Sequence, residues 1–315
     1  VPAAGPSTTF TVDNTVPSVT IGAPSTTITA RGPVSYTVTY ADANYSASTL
    51  AAGNVTLNTS GTASGTVSVA GTGTTRTVTI SSITGTGTLG ISLAAGAASD
   101  LASNSAPAAG PSATFTVDNT APTVSISAAS SSFAKSGPVT YTVTYSDANF
   151  ASSTLADANV ALNRNGTANG TASVTGSGTT RTVTISSITG DGTLGISIAA
   201  GTVTDLAGNS APASAASASF TVDNTAPTVT IGSPSRSFTA TSSVTYAVTY
   251  ADASFSASTL TTANVSLNST GTANGTIGVT GSGTSYTVSI TGITGNGTLR
   301  IAIASGTATD LAGNS

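Results

Sequence analysis

The sequence predicts an all-β protein built from three tandem two-sheet sandwiches of seven strands each, arranged head to tail. Three observations carry this. The first is an internal repeat. Thr-Val-Asp-Asn-Thr recurs with its Asp at 13, 118 and 223, a tyrosine closes a long apolar run at 40, 145 and 250, and Asp-Leu-Ala-(Ser/Gly)-Asn-Ser begins at 100, 205 and 310. The period is 105 residues throughout, so 315 residues hold three copies. That is too long for a solenoid unit and suits a small independent domain. The second observation is a side-chain period of two, with β-branched and aromatic residues alternating with Thr and Ser, as half-buried strands require. The third is punctuation by Gly, Asn and Pro at short intervals. About seven short alternating strands in some 100 residues is the immunoglobulin-like pattern.

The second copy shows each element in turn. Strands are expected at 122–128, 138–146, 159–164, 170–175, 179–186, 193–199 and 218–222. Val139-Thr-Tyr141-Thr-Val143-Thr-Tyr145 is the clearest, and Val183/Ile185, Leu194/Ile196/Ile198 and Phe220/Val222 repeat the alternation. Gly137-Pro138, Gly176-Ser-Gly178 and Gly190-Asp-Gly192 mark the turns between them. Ser152–Leu155, after Asn149, reads as a single helical turn. The domain boundaries expected are 16–120, 121–225 and 226–315, with 1–15 as the last strand of a preceding or neighbouring unit. Each unit has about a dozen inward apolar side chains, at roughly 1.5–3 kcal/mol apiece on burial.

Composition removes most enzyme chemistry. Only 6% of residues are charged, all eleven acids are Asp, and His, Cys, Met, Trp and Glu are absent. There is no thiolate, imidazole or paired nucleophile and base. Seven cations in a net charge of -4 speak against nucleic acid. No apolar run approaches the 18 or so residues of a membrane span. A catalytic Asp pair is the weakest reading, because nothing implies a shaped pocket.

Val-Asp-Asn-Thr-Ala-Pro-Thr-Val at 117–124 and 222–229, with Thr-Asp-Leu-Ala-Gly-Asn-Ser at 204–210 and 309–315, resembles tandem bacterial Ig-like repeats. In the first copy Val16 replaces the Ala of the linker and Ser103 the Gly. That family forms the extender regions of large secreted adhesins and biofilm-matrix proteins. The resemblance implies surface display, head-to-tail rods and calcium at domain junctions, with binding modules elsewhere in the polypeptide.

Nine of the eleven Asp fall into one recurring constellation. In a sandwich of this kind the entering linker, the loop after the second strand and the loop before the last strand gather at one end. The candidate ligands are Asp13, Asp42, Asp100 and Asn104; Asp118, Asn119, Asp147, Asn149, Asp205 and Asn209; and Asp223, Asp252, Asp310 and Asn314. Three carboxylates meeting there repel unless a cation joins them, and Ca²⁺ takes 6–8 oxygens of this type. Equally, Asp and Asn after a strand build turns by bonding the nearby backbone, and Ser254 replaces the Asn in the third copy.

Other signals are weaker. Outward Thr rows reflect β-propensity, Gly-x-Gly pairs read as hairpin turns, and Asn-x-Ser/Thr sequences are frequent enough to arise by chance. Lys135 is the only lysine, so a repeated Lys–Asn cross-link is excluded. Phe10 and Val12 read as a last strand without its domain, and the third copy stops before its own. Either the chain is an excerpt of a longer polypeptide, or residues 7–13 of one copy complete 226–315 of the next by strand donation. The function expected is a structural extender or scaffold of an extracellular bacterial adhesin, filament or matrix. At about 40 Å per unit, from strands of about ten residues, three units make a rod of about 120 Å. Its partners are further copies of the repeat, including lateral self-association. The alternatives are a strand-donating fibre subunit and a repeated carbohydrate-binding module, which would show an exposed aromatic platform.

Overall fold

Alternation decides which face of each strand is buried, and turns decide where each strand ends. The computed structural model describes residues 1–315 and is all-β apart from three single 3-10 turns at 52–54, 157–159 and 262–264. The first copy runs β1 (Ser18–Ile21), β2 (Ile28–Thr29), β3 (Val34–Ala41), β4 (Tyr45–Ser48), β5 (Val55–Thr59), β6 (Ser64–Ala70), β7 (Thr75–Thr84), β8 (Gly87–Leu93), β9 (Ala98–Asp100) and β10 (Phe115–Val117). The second runs β11 (Thr123–Ile126), β12 (Phe133–Ala134), β13 (Val139–Ser146), β14 (Phe150–Ser153), β15 (Val160–Gly166), β16 (Asn169–Ser177), β17 (Thr180–Thr189), β18 (Gly192–Ile198), β19 (Val203–Asp205) and β20 (Phe220–Val222). The third has β21 (Thr228–Ile231), β22 (Val244–Ala251), β23 (Phe255–Ser258), β24 (Val265–Ser269), β25 (Asn274–Ser282), β26 (Ser285–Thr294), β27 (Leu299–Ile303) and β28 (Ala308–Asp310).

In the first copy one sheet is ordered β1-β3-β7-β6 and the other β2-β10-β8-β5, with β4-β9 as a separate ribbon. All pairs in these two sheets are antiparallel except β2 with β10. The second copy repeats this as β11-β13-β17-β16, β12-β20-β18-β15 and β14-β19. This is an immunoglobulin-like sandwich whose first strand divides between the two sheets. In the third copy the first sheet is complete, β21-β22-β26-β25, and the second holds only β24-β27.

By internal packing the chain forms two compact units: 1–123 with 145–154 and 200–212, and 124–144 with 155–199 and 213–315. The first contains the whole first sandwich and the β14-β19 ribbon. The second contains the β15–β18 region of the second copy and all of the third.

The predicted strands fall where alternation put them, and two features differ. Ser152–Leu155 is not a helical turn. Phe150–Ser153 is a strand, because it pairs with Val203–Asp205 as a ribbon. The helical turn lies at 157–159, where the Asn159 side chain accepts the Ala156 amide. The two-residue strands β2 and β12 are also additions. In its sheet each has one strand neighbour, the last strand of its copy, to which it pairs in parallel.

The cores follow the alternation. Val34, Tyr36, Val38 and Tyr40 of β3 are buried while Thr37 and Thr39 face out. Tyr36 packs 6.5 Å from Phe115, and Tyr141 6.5 Å from Phe220. A buried phenol needs a partner for its hydroxyl. Tyr36 donates to the Ala113 carbonyl at 2.8 Å and Tyr141 to that of Ala218 at 3.0 Å, so each ties one sheet to the segment that leads into the last strand of the other.

Candidate metal centre at the repeat linkers

Each centre is assembled from three short pieces of chain. The linker Asp follows a Phe-Thr-Val segment, which is the last strand β10 or β20 before Asp118 and Asp223 but not a strand before Asp13, a second Asp follows the long strand β3, β13 or β22, and a third ends the ribbon strand β9, β19 or β28. Asp13, Asp42 and Asp100, then Asp118, Asp147 and Asp205, then Asp223, Asp252 and Asp310 hold carboxylate oxygens within 4.8 Å of one another. Asp100, Asp118, Asp205, Asp223 and Asp310 are buried, and the others are half-buried or nearly so. The first two clusters lie in the first compact unit and the third in the second.

Turn chemistry places each carboxylate. Asp42 accepts the Asn44 amide at 2.7 Å, Asp147 that of Asn149 at 2.7 Å, and Asp252 that of Ser254 at 2.6 Å. Asp13, Asp118 and Asp223 accept the amides of Thr15, Thr120 and Thr225. Asp100, Asp205 and Asp310 each accept the backbone amide four residues on, all at 2.8 Å. The residue before that last Asn has positive φ, supplied by Gly208 at 90° and Gly313 at 85°, whereas Ser103 adopts 71° in the first copy.

The asparagines then join the pieces. Asn104, Asn209 and Asn314 donate from Nδ2 to the ribbon Asp at 2.6–2.7 Å and to the carbonyl of the linker Asp, 91 residues away, at 2.8–3.0 Å. Asn44 donates to Asp13 at 2.7 Å and Asn149 to Asp118 at 2.6 Å. Ser254 makes no such bond, so the third centre lacks this donor. The Asn44 bond, followed by the Thr15 amide, holds the Asp13 carboxyl below its ordinary value of 3.8.

Asn119 is placed differently from the other candidates. Its side chain donates to the Gly85 carbonyl at 2.6 Å, and Asn224 does the same to Gly190. Both are spent on the turn that precedes β8 or β18. The linker is thus fixed on two sides, by its Asn to one copy and by its Asp to the next. Asp191, which the repeat pattern leaves out, accepts the Asn224 amide at 2.6 Å and so helps hold that linker. The only available sign of this was its place inside Gly190-Asp-Gly192. A further tie joins Lys135 to the Gly313 carbonyl, and the Ala30 amide to the Ala207 carbonyl at 3.3 Å.

Chemically, three carboxylates this close disfavour joint ionisation unless donors or a cation offset the charge. The donors bonded to these nine carboxylates are backbone amides and Asn side chains, with no Lys or Arg among them. The oxygen-only set fits a hard divalent cation. Oxygens within 4.8 Å of one another also lie within the span of ligands placed about 2.4 Å from Ca²⁺.

No aromatic platform is built from tyrosine. Tyr36, Tyr40, Tyr141, Tyr145, Tyr246 and Tyr250 are buried, and Tyr45 and Tyr286 are half-buried. No helix is long and apolar enough to cross a membrane.

The fold and the repeated linker define a tandem Ig-like β-protein. No family model and no curated protein matches the chain. Among solved structures, the chain is similar to the Escherichia coli adhesin FdeC at 17% identity and TM-score 0.33, covering 95% of this chain and 98% of that one. It is similar to the I9–I11 tandem of titin at 11% identity and TM-score 0.29, covering 91% and 98%.

Proposed function

We propose that this chain is an extender segment of an extracellular bacterial surface or matrix protein, whose task is to hold distance and direction. The observation that carries this reading is the linker. The bond from Asn104, Asn209 or Asn314 to the linker Asp carbonyl recurs at a 105-residue period, and the linker at 118–119 adds Asp118 bonded to Asn149 and Asn119 bonded to Gly85. A flexible tether needs no such bonds, and a spacer that must keep its direction does. The resemblance of the Val-Asp-Asn-Thr-Ala-Pro and Asp-Leu-Ala-Gly-Asn-Ser motifs to adhesin repeats supports the location.

In this reading Ca²⁺ at Asp118, Asp147 and Asp205, and at the two equivalent triplets, neutralises the clustered carboxylates and stiffens the linkers. Asn149 and Asn209 supply amide groups next to the same carboxylates. The experiment is small-angle scattering of the chain with calcium and with chelator, paired with calorimetric titration. An elongated particle of narrow length distribution is expected, with higher melting temperature in calcium. A compact or broadly flexible particle overturns the extender role. An elongated particle with neither binding heat nor a melting shift overturns calcium alone.

A further inference from the structure

Asparagine is a chemically labile residue, and a following glycine exposes it most, because no Cβ keeps the glycine nitrogen from the side-chain carbonyl. Asn-Gly occurs four times, at Asn165, Asn169, Asn274 and Asn296, and all four asparagines are exposed. Exposure therefore does not rank them, and the folded backbone does. In three of them the glycine amide is bonded to the asparagine's own Oδ1: Gly166 to Asn165 at 2.8 Å, Gly170 to Asn169 at 2.9 Å and Gly275 to Asn274 at 2.8 Å.

Sheet register separates these three. Gly166 lies opposite Gly192 in the β15–β18 ladder. Gly170 and Gly275 lie at β-bulges: Asn169 opposes Thr189 while Thr171 opposes Ser186, and the step from Asn274 to Thr276 is the same. A bulge leaves its extra residue outside the ladder, so these two nitrogens stay beside the side-chain carbonyl instead of being held by a neighbouring strand. The first copy has the bulge but carries Ser64-Gly65 there. Asn169 has one further feature. Arg164 donates from Nη1 to the same Oδ1 at 2.9 Å. Its place is taken by Ser269 in the third copy and Thr59 in the first.

We propose that Asn169 is a site of self-modification, deamidating through a cyclic imide, with Asn274 as its slower counterpart. The Gly170 nitrogen gives its proton to solvent and its electron pair to Asn169 Cγ. Oδ1 then carries the negative charge of the tetrahedral intermediate, against the Arg164 guanidinium. A fixed cation where charge develops lowers such a barrier. The Cγ–Nδ2 bond breaks, and that nitrogen leaves as ammonia with a proton taken from water. Water opens the imide at either carbonyl, so asparagine and water become aspartate or isoaspartate and ammonia. The new carboxylate forms an ion pair with Arg164, and isoaspartate adds a methylene to the backbone of β16, an edge strand of its sheet. The modification is independent of the extender role and survives its failure.

The experiment is peptide mapping by mass spectrometry of the chain aged in mildly alkaline buffer, folded and in urea. In the folded chain Asn169 should convert about tenfold faster than Asn274, and faster than Asn165 and Asn296. In urea the four rates should converge. Arg164→Ser should slow Asn169 about tenfold and leave Asn274 unchanged, while Ser269→Arg, at an exposed position, should speed Asn274 by a similar factor. Three outcomes overturn the proposal: an Asn169 no faster than the other three in the folded chain, a ranking that persists in urea, or either arginine change leaving the rate of its asparagine unaltered.

Discussion

Tyr40, Tyr145 and Tyr250 occupy one position of the repeat, and a single residue elsewhere divides their fates. Tyr145 donates to the Thr202 hydroxyl at 2.9 Å and Tyr250 to that of Thr307 at 2.7 Å. The first copy has Ala97 at that place, and the Tyr40 hydroxyl is buried without a partner. Ser48, close by, donates instead to the Ala97 carbonyl at 3.0 Å. A hydrogen bond contributes about 1 kcal/mol net, while an unpaired buried polar group costs about 1–3 kcal/mol. Ala97→Thr should therefore stabilise the chain by about 1 kcal/mol, and Thr202→Ala should destabilise it by about 1–3 kcal/mol. Urea denaturation measures both, and a destabilising Ala97→Thr would refute the account. The Ala-for-Thr difference is visible in the repeat alignment. Its partner, 57 residues away, is not, because only sheet packing brings the two together.

At the scale of the element, the turn before β18 shows why glycine recurs. Gly190 has φ +75°, and a Cβ there would lie 2.2 Å from the Thr167 carbonyl oxygen. Gly201 has nearly the same φ, +76°, with nothing within 4 Å. Left-handed backbone costs a non-glycine residue about 1–2 kcal/mol. Gly201→Ala should cost about that much, and Gly190→Ala clearly more, since the neighbouring backbone must also move. Equal losses in thermal unfolding would show that the close approach is unimportant. Gly190 also offers its carbonyl to Asn224, so Gly190→Ala should loosen the linker as well. The turn was readable from Gly-Asp-Gly. The ribbon β14-β19 was not, because Phe150–Ser153 alternates too briefly to distinguish a strand from a helical turn, and its partner strand is three residues long.

For the whole molecule, pH acts through buried phenols on the alkaline side and through Asp13 on the acid side. Burial pushes the Tyr36, Tyr40, Tyr45 and Tyr141 hydroxyls above their ordinary value of 10.0. A phenol with a raised folded pKa holds its proton more tightly when folded. Its contribution is complete below about pH 10 and is lost as pH rises through the folded value. At the other end, the depressed Asp13 carboxyl contributes above its ordinary value and loses that contribution as pH falls through the folded one. Stability should be flat across neutral pH, with cooperative alkaline unfolding above about pH 10 in which tyrosinate absorbance and loss of circular dichroism coincide. Tyrosine ionisation that runs to completion before any loss of structure would contradict this.

The sequence by itself determined the repeat, the period of two, the three sandwiches and the membership of the acidic triplets. These depend on residue order at fixed spacing and on the rule that alternate side chains face opposite ways. Tertiary structure decided which groups those residues meet. It sent Asn119 and Asn224 to the glycine carbonyls of Gly85 and Gly190, gave Asp191 a part in one linker, and paired a ribbon that no periodicity announced. A hydrogen bond is made by whatever donor lies within about 3 Å, and sequence spacing does not reveal which groups the folded sheets bring that close.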